Sequence, residues 1–298
     1  MLSVLIPVYN YNISGLVSEV HKQLITSDIP FEILCYDDCS SNVSLQDINK
    51  TINTLSHSEY HILPKNIGRS AIRNKLANDA KYDWCLFLDA DVMPKASNFI
   101  STYLNAISKQ SEVIYGGILY QEERVDDSRV LRWVYGNKRE ALSAKARNKN
   151  IYLSFLTLNF LIHKQVFNSV QFNEDIPNLR HEDTLFSYHL KTSHINIEHI
   201  ENPTYHLGLE DSKTFLKKSL DSVKAIDLFI KQDLLPTDYT RITKLYSQIK
   251  NSSISKLLAF IYRKYNRTFK KNLLSKKPSL LIFDLYRLGY YCTINSKH

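Results

Sequence analysis

Short apolar runs at residues 2–7, 31–36, 60–63, 84–88 and 113–115 alternate with segments of helical spacing, and this alternation restricts the fold more than any other property of the chain. Parallel strands need long connections, usually helical, so apolar runs separated in this way build a parallel sheet with crossover helices. The helical segments are marked by Leu16, Val17, Val20 and Leu24 after Ser14, by Leu45, Ile48, Ile52 and Leu55, by Ala71, Ile72 and Leu76, and by Phe99, Tyr103 and Ile107. The expected fold is therefore α/β, a mainly parallel, Rossmann-like sheet flanked by helices. Ligands of such sheets bind outside the carboxyl ends of the strands. The polar clusters fall there: Asn10 after the first run, Asp37-Asp38 after the second, Asn66 to Arg73 after the third and Asp89-Ala90-Asp91 after the fourth.

Each cluster has a chemical reading and a plainer one. Asp89 and Asp91, at the end of an apolar strand, are hard oxygen donors suited to Mg2+ or Mn2+ bridged to phosphate, and equally suited to capping a solvated turn. Asp37 and Asp38 can hydrogen-bond a nucleobase and a ribose, or form an Asx turn into the next helix. Arg69 and Arg73, four apart at a helix start, suit a phosphate or an acidic partner. Glu182 and Asp183 open a helical stretch over 181–190 and complement its dipole. A carboxylate on the same rim as a metal can also serve as a general base. His206 is either a nitrogen ligand of that metal or an ordinary structural histidine.

In order and spacing, Val4-Leu5-Ile6-Pro7-Val8-Tyr9-Asn10, Asp37-Asp38-Cys39-Ser40, Asn66-Ile67-Gly68-Arg69 through Arg73-Asn74, Leu88-Asp89-Ala90-Asp91 and Glu182-Asp183 resemble family 2 glycosyltransferases of the GT-A fold, over roughly residues 1–210. The resemblance implies that Pro7, Val8, Tyr9 and Asp38 hold the nucleobase of a nucleotide-sugar donor. Asn10, Gly68, Arg69, Arg73 and Ala90 belong to the same donor site, and Asp89 lies by the ribose or sugar. Asp91 meets a divalent cation, Mn2+ or Mg2+, and His206 matches a later histidine that some relatives use at the metal or diphosphate. Asp183 matches the catalytic base. Tyr115, Gly116, Gly117, Asn159 and Glu182 occupy regions that approach the donor sugar or the acceptor. The implied reaction is displacement with inversion, from a UDP-sugar to a hydroxyl of a glycan or lipid-linked glycan. Two departures stand out: Val92 follows Asp91 where the family often has a further aspartate, and Cys39 replaces a common glycine. The competing enzyme class, a haloacid-dehalogenase-like phosphatase, is suggested by Asp89-Ala90-Asp91-Val92-Met93 but expects that motif on an early strand. A non-catalytic nucleotide- or membrane-binding protein is the remaining alternative.

Charge divides the chain. Of its net +8, residues 213–298 carry 18 Lys+Arg against 5 Asp, leaving 20 Lys+Arg against 25 Asp+Glu in residues 1–212. The expected organisation is a GT-A catalytic domain over 1–211 and a basic, mostly helical extension over 212–298. In the extension Ile254, Leu257, Leu258 and Ile261 recur at helical spacing, with Arg263, Lys264, Arg267, Lys270 and Lys271 close behind. That pattern fits an anionic membrane surface or a helical subdomain with a solvated basic face, and no nucleic-acid partner is expected. Residues 279–294 are apolar but interrupted by Asp284 and Arg287, too short to span a bilayer. No basic leader precedes the first strand, so the expectation is a cytoplasmic protein, with peripheral contact at the inner face of the cell membrane if the extension binds lipid. Cys35, Cys39, Cys85 and Cys292 form no CxxC and read as reduced and mostly buried. Residues 130–146 are expected to form a helix, and residues 156–162 a further strand.

Overall fold

The computed structural model describes residues 1–176 and 180–296. In chain order it contains β1 (Leu2–Val8), α1 (Ser14–Ile25), β2 (Phe31–Asp37), α2 (Val43–Lys50), β3 (Ser58–Ile62), α3 (Arg69–Asp79), β4 (Trp84–Leu88), β5 (Val92–Pro94), α4 (Phe99–Ala106), β6 (Val113–Tyr115) and β7 (Ile118–Leu119). There follow α5 (Val130–Tyr135), α6 (Ala144–Arg147), β8 (Asn159–His163), α7 (Lys164–Val170), α8 (Glu182–Thr192), β9 (Ile197–His199) and β10 (Thr204–His206), then α9 (Ser212–Lys231), α10 (Arg241–Ile249), α11 (Ser253–Leu273) and α12 (Leu280–Ile294). These elements form two compact units: one of residues 1–120, 141–176 and 182–208, the other of residues 121–140, 180–181 and 209–296.

The first unit is built on a seven-stranded sheet in the order β3-β2-β1-β4-β8-β6-β9. Its pairs are parallel except where β8 inserts antiparallel between β4 and β6. Both faces are covered, so the strands read as continuous apolar runs whose alternate residues enter different cores. In β4, Trp84, Leu86 and Leu88 pack on one side with Leu16, Val17 and Phe99. Cys85 and Phe87 face the other side with Leu76, Phe160 and Phe186. A second, three-stranded sheet in the order β5-β10-β7 lies just past the end of β4. The antiparallel register of β10 on β5 pairs His206 with Val92, the residue after Asp91.

The second unit is helical. Its helices start where short polar side chains can accept from otherwise unpaired backbone N–H groups. Asp211 accepts from Lys213 and Thr214 at α9, Thr240 and Thr243 form a reciprocal capping box at α10, and Ser252 and Ser279 cap α11 and α12. Leu131 and Tyr135 of α5 join Phe215, Leu216, Phe283 and Tyr286 in its core, and the Phe215 and Phe283 rings stack at 5.6 Å. Among the described residues no helix is long and apolar enough to cross a membrane.

The structure departs from the expected elements in two places. The helix expected over 130–146 is broken: α5 widens into one π-type turn at Gly136–Glu140, and the chain restarts at α6 under a Ser143 cap. The break falls where the backbone passes from one compact unit to the other, at residues 140–141. The strand expected over 156–162 begins at Asn159, because Thr157 and Leu158 continue a turn.

Candidate active site

The loops after β1 and β2 are locked together. Asn10, at a left-handed φ of 50° that asparagine tolerates, receives the Asn42 N–H on its side-chain oxygen at 3.0 Å and donates its backbone N–H to the Ser40 hydroxyl at 2.7 Å. Pro7 and the buried Val8 end β1, whereas Tyr9 stands 54% exposed. Asp38 is buried, and its two carboxylate oxygens accept from the N–H groups of Ile67 and Gly68 at 2.6 and 3.0 Å. These bonds shape the turn into α3, where Gly68 takes a φ of 86° that a side chain would strain. Cys39, also left-handed at φ 59°, is exposed, while Cys35, Cys85 and Cys292 are buried, and all four are free thiols.

From that turn α3 sends Arg73 inward. Its side chain is 6% exposed and donates to Asp89 at 2.7 Å, with Glu182 3.8 Å away on the other side. Arg69, half exposed, also reaches Glu182, at 3.5 Å. Both arginines of the pair thus have acidic partners within the fold. Burial alone would lower the Arg73 pKa, but Asp89, Glu182 and, more weakly, Asp183 outweigh it and hold the guanidinium charged. Asp89 is pushed up by its own burial and by Asp91, against the pull of Arg73. Asp183, in the first turn of α8, accepts from the Thr184 N–H at 2.7 Å.

Asp91 follows Ala90 at the mouth of the second sheet. Its carboxylate oxygen Oδ2 lies 3.2 Å from His206 Nε2, and its backbone carbonyl accepts from the Leu207 N–H at 2.8 Å. Burial first, and the Asp91 charge second, raise the Tyr11 hydroxyl pKa. Gly208 completes the surround: a Cβ at that position would overlap Asp91 Oδ2.

The fit of a divalent cation can be judged from this pair. An oxygen and a nitrogen 3.2 Å apart can both reach one small ion at bond lengths of about 2.1 Å, and carboxylate with imidazole is a donor set that Mn2+ accepts. No group of three or more His, Cys, Asp or Glu able to hold a metal occurs among the described residues. The pair therefore fits an ion that takes its remaining ligands from phosphate and water. His206 Nδ1 is buried without a hydrogen-bond partner, leaving Nε2 as the nitrogen that faces Asp91.

The region expected to meet donor sugar or acceptor is more enclosed than its sequence suggests. Tyr115 and Asn159 are wholly buried. Asn159 accepts from the Tyr103 hydroxyl at 2.7 Å and donates to the carbonyls of Gly117 and Asn202 at 2.9 and 3.0 Å, so its amide builds the interior. Beside it Arg147, 1% exposed, donates to the carbonyls of Gly116 and Ile200 and to His199 Nδ1, and stacks over the Tyr115 ring.

The model of glycosyl transferase family 2 matches residues 3–170, more than half of the chain. The chain belongs to that family. As a family 2 member it is a nucleotide-sugar-dependent glycosyltransferase of the GT-A fold, and the phosphatase alternative falls away. Asp183 and His206 lie beyond the matched stretch. Among curated proteins none matches this glycosyltransferase significantly. Solved structures resemble its fold. The Staphylococcus aureus TarS fragment 1-349 in complex with UDP-GlcNAc superposes with a TM-score of 0.51 at 18% identity, covering 99% of this chain and 90% of that one. The mannosyltransferase PcManGT from Pyrobaculum calidifontis, in complex with GDP-Man and Mn2+, gives 0.53 at 12% identity, covering 100% and 88%.

Three residues of this glycosyltransferase's site region escape motif reading. Tyr11 lies one position past the first cluster, Gly208 is an isolated glycine two residues after His206, and Arg147 sits in a charged segment with no local pattern. A histidine followed closely by glycine, after a strand-end aspartate pair, is the one weak signal that could have flagged Gly208.

Proposed function

We propose that this enzyme transfers a sugar from a UDP-sugar to a hydroxyl of a glycan or lipid-linked glycan, with inversion, and that Asp183 is the general base. One observation carries the reading: buried Arg73 sits between Asp89 and Glu182, so a single guanidinium ties the strand end bearing Asp91 to the helix start bearing Asp183. Pro7, Val8, Tyr9, Asn10 and Asp38, at the ends of β1 and β2, form the nucleobase end of the donor site. Asp183 takes the proton of the acceptor hydroxyl as its oxygen bonds to the anomeric carbon, while the bond to the diphosphate breaks on the opposite face with its electron pair. Asp91 and His206 would hold Mn2+ or Mg2+, which when bound offsets the charge of the leaving diphosphate. UDP is the first nucleotide to test because the TarS structure is a UDP-GlcNAc complex, and GDP is the second because the PcManGT structure holds GDP-Man.

The test is a pair of substitutions read by nucleotide binding and by transfer. Asp183→Asn should keep Mn2+-dependent nucleotide binding while turnover falls about 10²- to 10⁴-fold. Asp91→Asn should lose transfer together with the Mn2+-dependent part of binding. Undiminished turnover in Asp183→Asn would reduce Asp183 to a helix cap.

A further inference from the structure

The helix α11 is apolar on two sides. Leu258, Ala259, Tyr262 and Phe269 pack inward, against a core that includes Phe283, Tyr286, Leu288 and Cys292 of α12. On the other side Ile254, Leu257 and Phe260, spaced three residues apart, are 53%, 55% and 52% exposed. The helix also carries Lys256, Arg263, Lys264, Arg267, Lys270 and Lys271, and not one acidic residue between Ser253 and Leu273. Lys264 folds its ammonium over the rings of Phe260 and Tyr265, at 5.6 and 5.5 Å. The cation thus lies alongside the exposed apolar stripe.

We infer that this face of α11 is a docking surface for an anionic lipid bilayer. Charge complementarity selects the occupant. A second copy of the chain would oppose cations to cations, because α11 has no acid to pair with them. A nucleic acid would match the cations but leave Ile254 and Leu257 against a charged backbone. A membrane interface receives both halves: the aliphatic and aromatic side chains enter the boundary between headgroups and acyl chains, and the long basic stems reach the lipid phosphates. The helix lies on the surface rather than crossing it, since no described helix is long and apolar enough to span. None of these residues belongs to the candidate active site, so the inference stands independently of the sugar-transfer reading.

The experiment is co-sedimentation of the full chain with vesicles of phosphatidylcholine alone or mixed with phosphatidylglycerol. The expected result is pelleting with the anionic vesicles only, released by added salt. Two double variants, Leu257→Asp with Phe260→Asp and Lys264→Glu with Arg267→Glu, should each lose most of the pelleted fraction while circular dichroism and melting stay unchanged. All four positions are exposed, so the fold should tolerate them. Failure of the full chain to pellet, or equal pelleting by either variant, overturns the inference. So does stronger binding to single-stranded RNA that the same variants abolish, or self-association in ultracentrifugation that the Leu257→Asp pair abolishes.

Discussion

At the scale of single residues, Gly208 is the sharpest test of how Asp91 is held. A methyl group there would overlap the carboxylate oxygen that faces His206, and the side chain must turn away or the loop must shift. Displacing a ligand by such a supporting contact costs about 10- to 100-fold in metal affinity. Gly208→Ala should therefore raise the Mn2+ concentration needed for half-maximal activity by about that factor, with melting temperature little changed. An unaltered Mn2+ titration would show that the Asp91 orientation seen here is not the working one. Asp91 and His206 were legible as candidates because a strand-end Asp-x-Asp and a histidine are recognisable residue types. Their 3.2 Å approach was not, because it depends on the register of two three-residue strands too short to show any periodicity. Asp38 teaches the same lesson from the other side: its position was legible, but not its bonds to the Ile67 and Gly68 backbone.

At the scale of elements, a buried polar arrangement locks α6 onto β6 and β9. Arg147 Nε donates to His199 Nδ1 at 3.2 Å, which fixes the ring proton on Nε2, facing the Ile151 carbonyl at 3.0 Å. Burial first, and the Arg147 charge after it, push His199 from its ordinary 6.5 down to about 4. The folded state thus binds the proton less readily than the unfolded chain. The stability this neutral histidine contributes is complete above the unfolded value and is lost as pH falls from 6.5 through about 4. Urea unfolding should show a lower stability at about pH 5 than at about pH 7, and His199→Asn, which keeps an acceptor but cannot titrate, should flatten that difference. An identical slope in the variant would place the acid sensitivity elsewhere. The long strands β1, β2 and β4 and helices α1, α3 and α4 could be read from apolar spacing. The lock could not, because a buried arginine satisfied by carbonyls and a histidine has no sequence signature.

At the scale of the whole molecule, the residues proposed to bind and react with the donor all belong to the first compact unit, from Pro7 to His206. UDP with Mn2+ should raise the stability of that unit by about 2.7 kcal/mol at a hundredfold excess over Kd, visible as an upward shift of several degrees in its melting. A panel of UDP, GDP, CDP and dTDP that leaves melting unmoved, with metal and without, would count against nucleotide binding. The division of charge along the chain was plain in the sequence, but the allocation of residues 121–140 to the unit of the basic helices was not. It rests on contacts such as the Tyr135 and Phe215 rings at 5.3 Å, between partners far apart in the chain. The four cysteines divide the molecule another way. Burial pushes the Cys85 and Cys292 thiols up to about 12 and about 11, and Cys35 higher still, so none of these offers an appreciable thiolate near neutrality. Cys39 alone stands exposed. Toward a maleimide the protein is a one-thiol molecule, and the dye it accepts would ride on the loop after β2, next to Asp38, where arrival of a nucleotide could be watched without altering any side chain proposed to bind or react with it.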